Sequence, residues 1–393
     1  MNDQNSAQLK ILQAGTVQCL PTGALANKLK EHPQLRIKLG VDPTTSDLHL
    51  GHAVVLEKLR QFQDLGHVII FLIGDFTAKI GDPTGKSKTR PPLTEAEIAA
   101  NTKTYFEQVG RVLDLERTQI CFNSTWLAKL DFRQILEIAA KVTVSQLIER
   151  DDFSKRLASN QPIGFHELLY PLMQGYDSVA LEADVEIGGT DQTFNLMMGR
   201  HLQQHYGQSE QVILTMPLLV GLDGVHKMSK SLNNTIGLTD EPENAFGKLM
   251  STSDDLMWHY YELLLGFNSS TLSEVKQLHP MVAKKQLAHG VIAKYWSKKA
   301  ADDAQATFEK LFQQKDYSAA QVVELDKNVA NPIWIVDFLR VLGAVQTSSE
   351  ARRLIADGAI KIDGQAITDF KAEISWNSGM IIKVGKHRIY QIK

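Results

Sequence analysis

The chain has 393 residues, of which 43% are hydrophobic, and a formal net charge of -3. This length and composition predict a globular protein of two or three domains and exclude a disordered or fibrous one. The charge excludes a protein coated in basic surface, so any contact with nucleic acid must be local.

The two cysteines, Cys19 and Cys121, are too few for a disulfide framework and fit a reducing compartment. The first ten residues are polar, and no apolar run has the length needed to cross a bilayer. The sequence therefore predicts a soluble cytoplasmic protein that does not contact the membrane.

The first elements in chain order are two short helices within residues 6–31. Residues 35–42 then alternate apolar and polar side chains as a strand does, and residues 67–73 are nearly all apolar, as in a strand covered on both faces. Apolar residues at helical spacing separate these two strands. Strand, helix and strand in so short a stretch predict a right-handed βαβ unit of a parallel sheet.

The segment His49-Leu50-Gly51-His52, HLGH, opens the helix of this unit. In parallel sheets, ligands bind at the carboxyl ends of the strands, where helix N-termini present free N–H groups to phosphates. Gly51 would let a nucleotide approach the backbone, and both imidazoles would face the ligand. The alternative is a pair of capping or surface histidines. A zinc site would need further ligands, which the neighbouring sequence does not supply.

Two glycine-containing loops are predicted at the same edge of the sheet. Residues 74–92 contain Gly-Asp-Pro-Thr-Gly-Lys-Ser, which is not a phosphate-binding P-loop because three residues, not four, separate its glycines. This loop either lines a site, with Asp82 offering a carboxylate to an ammonium, or is an ordinary surface turn. Residues 188–192, Gly-Gly-Thr-Asp-Gln, follow a strand and form a second opening for a nucleotide.

Three helical regions follow in the first half of the chain. Residues 94–113 begin with a Thr94–Glu97 capping box. Residues 124–160 form an inserted helical pair, which serves either self-association or simple core packing. In the helix at 165–177, Tyr170, Gln174 and Asp177 share one face, which indicates either a ligand pocket or a solvent-facing stripe.

The segment Lys227-Met228-Ser229-Lys230-Ser231, KMSKS, follows the apolar run 212–220. Two ammonium groups three residues apart suit a loop that folds over a polyphosphate and supplies positive charge as pyrophosphate leaves. The alternative is a solvated loop rich in lysine and serine.

The second half of the chain is predicted to be helical throughout residues 240–325, followed by a linker at 326–332. Residues 333–393 predict an α+β module, with a capping box at Thr347 and Glu350, a helix stop at Gly358 and a hairpin turn at Asp363-Gly364. This module has nine basic and six acidic residues. Such a local excess of positive charge is what contacts with RNA phosphates require.

HLGH and the downstream KMSKS together resemble the paired motifs of the class I aminoacyl-tRNA synthetases. Four further segments resemble the bacterial tyrosyl branch of this class, namely residues 38–44, 81–86, 174–177 and 188–192, and the resemblance extends over essentially the whole chain. Residues 349–364 resemble a small RNA-binding fold of ribosomal proteins. The resemblance implies an α/β protein: a Rossmann-like catalytic domain at 1–222 with an insertion near 124–160, the KMSKS loop with a helical anticodon-binding domain at 223–325, the linker 326–332 and an RNA-binding domain at 333–393.

The resemblance also implies roles for individual residues. It assigns the tyrosine pocket to Lys38, Thr77, Asp82, Tyr170, Gln174 and Asp177, with Asp177 accepting a hydrogen bond from the phenol. It assigns catalysis at the triphosphate and the departing pyrophosphate to Thr44, His49, His52, Lys86, Arg90, Lys227 and Lys230. It assigns the rest of the ATP site to Asp42, Gly51, Gly189, Asp191, Gln192 and Ser231, and the binding of tRNA to Arg352, Arg353 and Lys361.

Lys38 departs from the best-known branch of the family, in which a tyrosine at the matching position is a second partner of the substrate phenol. Our hypothesis is that Asp177, held by Lys38, supplies most of the discrimination.

The implied reaction joins L-tyrosine to ATP, which enters with Mg²⁺ and without a tightly bound cofactor, and then charges tRNA(Tyr). Adenylate formation needs positioning and charge stabilisation rather than a protein nucleophile, which suits imidazoles and ammonium groups. The family also implies a homodimer. The alternatives are a tryptophanyl-tRNA synthetase, although Asp177 suits a phenol better than an indole, or a catalytically silent RNA-binding relative.

Overall fold

The computed structural model describes residues 3–44, 47–84, 94–314, 316–317, 320–326, 328–385 and 388–393. The chain forms two compact units, Met1–Gly221 with Val225–Thr239, and Leu222–Gly224 with Asp240–Lys393. The KMSKS segment therefore belongs to the first unit, whereas the sequence analysis grouped it with the helical domain.

The first unit is built on a six-stranded sheet with helices around it. Its strands are β1 (Gln18–Leu20), β2 (Arg36–Val41), β3 (Val68–Ile73), β4 (Thr118–Phe122), β5 (Val185–Gly189) and β6 (Val212–Met216). Its helices are α1 (Asp3–Gln13), α2 (Ala24–Glu31), α3 (Leu50–Asp64), α4 (Thr77–Ile80), α5 (Glu95–Val109), α6 (Ser124–Leu127), α7 (Phe132–Ala139), α8 (Val144–Ile148), α9 (Asp151–Ala158), α10 (Phe165–Leu181) and α11 (Thr193–His205).

The strand order is β1-β6-β5-β2-β3-β4, and all neighbours are parallel except β1, which runs antiparallel to β6. The predicted βαβ unit is confirmed, because β2 and β3 pair in parallel from Arg36 opposite Val68 to Val41 opposite Ile73, with α3 between them in sequence. The apolar strand β3 is buried over nearly its whole length, as a central strand covered on both faces must be. The capping box of α5 at Thr94 and Glu97 is also present.

Backbone pairing brings the two sequence motifs together. The chain that follows KMSKS runs back beside the start of α3, where Leu50 N donates to Ile236 O at 3.0 Å and Leu238 N donates to Leu48 O at 2.9 Å. His49 forms an antiparallel bridge with Gly237 in the middle of this pair. Segments far apart in the sequence thus meet at the carboxyl end of β2.

The second unit contains a helical part and an α+β module. The elements are α12 (Pro242–Met250), α13 (Asp254–Leu265), α14 (Ser269–Val275), α15 (Pro280–Tyr295), α16 (Lys298–Phe308), a π-helix (Glu309–Gln314), β7 (Gln321–Val323), β8 (Ile333–Trp334), α17 (Ile335–Val341), α18 (Ser348–Ala356), β9 (Ile360–Ile362), β10 (Gln365–Ile367), β11 (Glu373–Ile374), β12 (Ile381–Val384) and β13 (Arg388–Ile392).

The prediction that residues 240–325 are helical throughout is wrong at its end. Residues 321–323 form β7, which pairs in parallel with β13 at the edge of a sheet ordered β10-β9-β12-β13-β7. A short strand whose partner lies far along the chain leaves little local pattern in the sequence. The turn signals of the module are confirmed, since Gly358, Asp363 and Gly364 have φ angles of 63°, 46° and 85°. Within the described part of the chain, no helix has the length and apolarity that a membrane span needs.

Candidate active site

A cavity of about 670 Å³ opens at the carboxyl ends of β2, β3 and β5. It is lined by most of the residues that the sequence analysis selected, namely Asp42, Thr44, His49, Gly51, His52, Thr77, Asp82, Tyr170, Gln174, Asp177, Gly189, Asp191, Gln192, Lys227, Lys230 and Ser231. Lys86 and Arg90 lie outside the described residues. In the described part of the chain, no group of three or more His, Cys, Asp or Glu side chains is arranged to hold a metal ion.

The two histidines of HLGH lie side by side at the start of α3. Gly51 N donates to His49 Nδ1 at 3.2 Å and His49 N donates to His52 Nδ1 at 3.1 Å, so both side chains cap the helix. Burial, followed by the neighbouring His52 ring and then the positive charges of Lys230 and Lys227, lowers the pKa of His49 to about 2. Burial is also the main cause that lowers the pKa of His52 to about 4. Both imidazoles are therefore neutral, and because each Nδ1 accepts a bond, each proton lies on Nε2.

Both lysines of KMSKS make ion pairs with aspartates of the first unit. Lys227 Nζ lies 2.5 Å from Asp191 Oδ2, and Lys230 pairs with Asp47. Met228 is buried, and its backbone N–H donates to Leu219 O at 2.7 Å, which fixes the middle of the segment. The segment is therefore anchored to the cavity wall at Met228, whereas Lys227 and Ser231 are exposed as the solvated-loop alternative expects.

Asp177 has a buried carboxylate held by two neutral donors. Trp126 Nε1 donates to Oδ1 at 2.8 Å and Asn123 Nδ2 donates to Oδ2 at 3.1 Å. Burial raises the pKa of Asp177 to about 7, while Lys38 and these two hydrogen bonds act in the opposite direction. The solvent-stripe alternative for this face of α10 is wrong.

Asp42 joins the two sides of the cavity. Its carboxylate accepts bonds from Thr77 Oγ1 at 2.7 Å and from the Tyr170 hydroxyl at 2.9 Å, and burial raises its pKa to about 7. Gly74 makes this arrangement possible, because a Cβ there would lie 2.0 Å from Asp42 Oδ1. Any side chain at position 74 would displace the carboxylate.

Asp82 and Gln174 provide acceptors at the polar end of the cavity. Asp82 accepts bonds from Arg150 Nη2 at 3.1 Å and from Gln192 Nε2 at 2.9 Å. Gln174 Oε1, in contrast, is buried without a hydrogen-bond partner among the described residues. An acceptor left unsatisfied in this way is a natural contact for a ligand donor such as an ammonium.

Lys38 does not lie where the sequence analysis expected it. Its side chain is fully buried and is absent from the cavity lining, and its ammonium lies 2.9 Å from Glu186 Oε1. The part of our hypothesis in which Lys38 holds Asp177 by direct contact is not what the structure shows, because Asn123 and Trp126 occupy both carboxylate oxygens.

Asn123, Trp126 and Arg150 are the site residues that the sequence analysis missed. Asn123 directly follows β4, so its place at the carboxyl end of a parallel strand was a usable signal, had that strand been recognised. Trp126 and Arg150 carry no such signal, since their positions depend on how the helical insertion packs.

The three residues predicted to bind tRNA are all exposed in the second unit, Arg352 and Arg353 on α18 and Lys361 on β9. The guanidinium carbon of Arg352 lies 5.3 Å from the centre of the Phe370 ring, which is itself 40% exposed. A cation beside an exposed aromatic ring is a common feature of RNA-binding surfaces.

Comparison with known families agrees with this architecture. The model of the tRNA synthetases of class I (W and Y) matches residues 30–313, and that of the S4 domain matches residues 333–373. The chain therefore belongs to the class I tRNA synthetases of the tryptophan and tyrosine group and carries a C-terminal S4 domain.

Full-length relatives narrow the family further. The chain is 49% identical to the tyrosine–tRNA ligase of Aquifex aeolicus over 98% of both chains, and 48% identical to that of Moorella thermoacetica over 100% of this chain and 97% of the relative. Within the class, it belongs to the family of bacterial tyrosine–tRNA ligases.

Solved structures of tyrosyl-tRNA synthetases share the fold. The enzyme of Archaeoglobus fulgidus complexed with L-tyrosine has a TM-score of 0.63 at 23% identity, over 77% of this chain and 99% of that one. The C-terminally truncated mitochondrial enzyme of Aspergillus nidulans has a TM-score of 0.64 at 20% identity, over 79% and 100%.

Proposed function

We propose that the protein activates L-tyrosine with ATP, forming tyrosyl-adenylate and pyrophosphate, and then transfers the tyrosyl group to the 3′ end of tRNA(Tyr). The observation that carries this proposal is a single cavity lined both by HLGH with KMSKS and by the polar face of α10. The full-length relatives are tyrosine–tRNA ligases, so a tryptophanyl or a catalytically silent protein is not favoured.

The polar face of α10 reads the amino acid. Asp177 accepts a hydrogen bond from the phenol, while Asp82, Tyr170 and the unpartnered Gln174 Oε1 surround the ammonium. Phenylalanine has no hydroxyl, so the buried Asp177 carboxylate would keep its bonds from Asn123 and Trp126 but lose the hydrogen bond from the substrate, which is costly in a buried site. Discrimination against phenylalanine follows.

The first chemical step is the attack of the tyrosine carboxylate on the α-phosphorus of ATP, with cleavage of the bond to pyrophosphate. Thr44 and the Nε2–H groups of His49 and His52 donate hydrogen bonds to the phosphate oxygens as negative charge builds up on them. Because both imidazoles are neutral, they stabilise this charge without transferring a proton.

The remaining polar groups of the cavity bind the rest of ATP. Lys227 and Lys230, with Ser231 and the predicted Lys86 and Arg90, take up the charge of the leaving pyrophosphate. Asp42, Gly51, Gly189 and Asp191 face the adenosine, and Gln192 lies near the α-phosphate. Mg²⁺ enters as part of the ATP substrate.

We further propose that the protein is a homodimer of the cytoplasm. Large apolar side chains of the helical insertion and its neighbour α10 are exposed, with Phe132 75% and Phe165 78% accessible, alongside Leu136, Val144 and Leu157. Such side chains are depleted from surfaces that stay in water and enriched at interfaces. A Phe132→Asp/Phe165→Asp variant should sediment as a monomer where the unaltered protein sediments as a dimer.

The decisive experiment is ATP–pyrophosphate exchange measured with tyrosine, phenylalanine and tryptophan in turn. We expect exchange with tyrosine alone, and Asp177→Ala should abolish most of the preference over phenylalanine. Exchange with tryptophan would identify the protein as a tryptophanyl-tRNA synthetase. If no exchange occurs with any of the three amino acids but tRNA still binds, the protein would be an RNA-binding protein without this activity.

A further inference from the structure

A network of buried polar groups lies directly behind the α10 face of the cavity. The Lys38 ammonium contacts Glu186 Oε1 at 2.9 Å, Ser178 Oγ at 2.8 Å and the backbone oxygen of Gln174 at 3.2 Å. Glu186 Oε2 in turn accepts bonds from Ser178 Oγ at 2.9 Å and from Gln211 Nε2 at 2.5 Å. The exposed fraction of both charged side chains is 1% or less.

The network is attached to the turn of α10 that reads the substrate. Two of the three partners of Lys38, at positions 174 and 178, flank Asp177 on the same helix. Glu186 reaches the cavity itself, since it is part of the lining, whereas Lys38 is not. The ammonium therefore contacts the helix from behind, and the substrate never needs to touch it.

Close packing leaves little free space around this network. Gly199 on α11 faces it, and a Cβ there would lie 2.6 Å from Gln211 Nε2, 2.8 Å from Ser178 Oγ and 3.1 Å from Glu186 Oε2. Two opposite charges in a dry, fully packed site are costly to rearrange or to break. Their placement next to the specificity helix is thus a fixed part of the site.

We propose that Lys38 and Glu186 are a pair of positioning residues for Asp177. Their contacts with α10 hold residues 174–178 in the position from which Asp177 binds the substrate phenol, and their opposite charges have opposite effects on the Asp177 carboxylate. This inference rests on the proposed activation of tyrosine.

The charges around Asp177 make the proposal testable, because removing a positive or a negative charge should shift the pKa of Asp177 in opposite directions. Lys38 on β2 lowers the pKa of Asp177, and Glu186 on β5 raises it. The third charged neighbour is Asp42, whose pKa is also raised to about 7. Burial, Asp82 and Asp177 raise the pKa of Asp42, and hydrogen bonds from Thr77 and Tyr170 lower it. The two hydrogen-bond donors of Asp177, Asn123 and Trp126, are neutral.

The experiment is the pH dependence of kcat/KM for tyrosine in pyrophosphate exchange, between pH 5.5 and 8.5. The position of the acid limb is taken as the pH at which kcat/KM falls to half of its plateau value. Since Asp177 must be ionised to accept the phenol, Lys38→Met should move this limb to higher pH by about one unit, and Glu186→Gln should move it to lower pH. General damage to the fold would not produce shifts of opposite sign.

Each single variant leaves one buried charge without its partner and could therefore fail to fold. The Lys38→Met/Glu186→Gln variant removes both charges and keeps nearly the same volume, so the proposal can still be tested if the single variants do not fold. We expect it to lose at least tenfold in the preference for tyrosine over phenylalanine. The matched control is Lys28→Met/Asp184→Asn, which removes an ion pair of 2.9 Å in the same unit, away from the cavity lining. It should leave both the limb and the preference unchanged.

Two outcomes would overturn the proposal. If the single variants lose activity without moving the limb, or the double variant keeps the full preference for tyrosine, the pair only supports the fold. Failure of the unaltered protein to exchange with tyrosine would instead reject the proposed function, so the two failures are distinguishable.

Discussion

The carboxylate of Asp177 receives one N–H bond on each oxygen, which fixes the plane of the group while its remaining lone pairs face the cavity. Trp126→Phe removes one of these donors and keeps the aromatic ring. A hydrogen bond to a charged group contributes about 1.5–3 kcal/mol, so kcat/KM for tyrosine should fall about 10- to 100-fold. Pyrophosphate exchange measures this loss.

Trp296→Phe is a suitable control for that variant. It removes an indole N–H bond of 2.9 Å to Asp240 O in the second unit and should leave pyrophosphate exchange unchanged. Equal losses in both variants would mean that the Trp126 bond has no special importance for the phenol.

His49 caps α3 and, in the proposed function, also donates a hydrogen bond from Nε2–H to phosphate; two substitutions separate these roles. His49→Ala removes both the cap of α3 and the Nε2–H donor, whereas Asn can still accept the Gly51 N–H bond. Urea unfolding should show a loss of about 1 kcal/mol for Ala and little loss for Asn, while both lower the exchange rate about 10²- to 10³-fold.

The pH profile tests the charge state assigned to the same histidine. The pKa of His49 is lowered to about 2, so it binds no proton as the pH falls from 8 to 5. His49→Asn should therefore keep the shape of the activity profile over this range. A limb near pH 6.5 that disappears in the variant would show that the imidazole titrates there.

At the scale of elements, α5 holds the loop between β2 and α3. Asn101 Nδ2 donates to Pro43 O at 2.8 Å, the Tyr105 hydroxyl donates to Asp42 O at 3.3 Å, and Leu48 N donates to Gln108 Oε1 at 2.5 Å. The helix bonds the loop at positions 42, 43 and 48, which include Asp42 and the residue next to His49. It therefore positions HLGH without contacting a substrate.

Gln108→Leu should accordingly slow catalysis more than it destabilises the fold. We expect kcat in pyrophosphate exchange to fall about tenfold, since small displacements of catalytic groups are costly. Gln63→Leu is the control, because Gln63 is equally buried and bonds the backbone N–H and C=O of Asp114, near the end of α3 that lies away from HLGH. If both variants lose kcat alike, the anchoring of the loop by α5 is not what matters.

The KMSKS segment offers a second test at this scale. In the proposed function, pyrophosphate replaces Asp47 as the partner of Lys230. The Lys230–Asp47 pair is about one-third exposed. Such pairs are worth about 0.2–1 kcal/mol, so Asp47→Asn should lower the KM for ATP about 1.5- to 5-fold. The control is Glu309→Gln, which breaks the ion pair with Lys285 in the second unit and should leave this KM unchanged. A higher KM for ATP in Asp47→Asn would show instead that the Lys230–Asp47 pair helps ATP to bind.

At the scale of the whole molecule, the sequence predicts those features that depend on local periodicity and on fixed motifs. The βαβ unit, the cap at Thr94 and the turn at Asp363-Gly364 are of this kind. The strands β4 and β7, the donors to Asp177 and the true partner of Lys38 depend on which segments pack together. A single sequence carries little information about such long-range pairing, so these features required the structure.

The division into two units predicts that adenylation and tRNA binding can be altered separately. Arg352 and Arg353 are exposed in the second unit, whereas every residue that lines the cavity belongs to the first. Arg352→Ala/Arg353→Ala should therefore leave tyrosine-dependent pyrophosphate exchange unchanged and raise the KM for tRNA in aminoacylation.

The salt dependence of tRNA binding identifies the cause of that change. Each lost phosphate contact should reduce the slope of log K against log salt by about 0.7–0.9, so the double variant should lose up to about twice that amount. Lys30→Ala, an exposed lysine of the first unit, is the control and should leave the slope as it was. A weaker affinity with an unchanged slope would mean that the two arginines shape the module rather than contact phosphates, and an unchanged affinity would move the tRNA-binding surface away from α18.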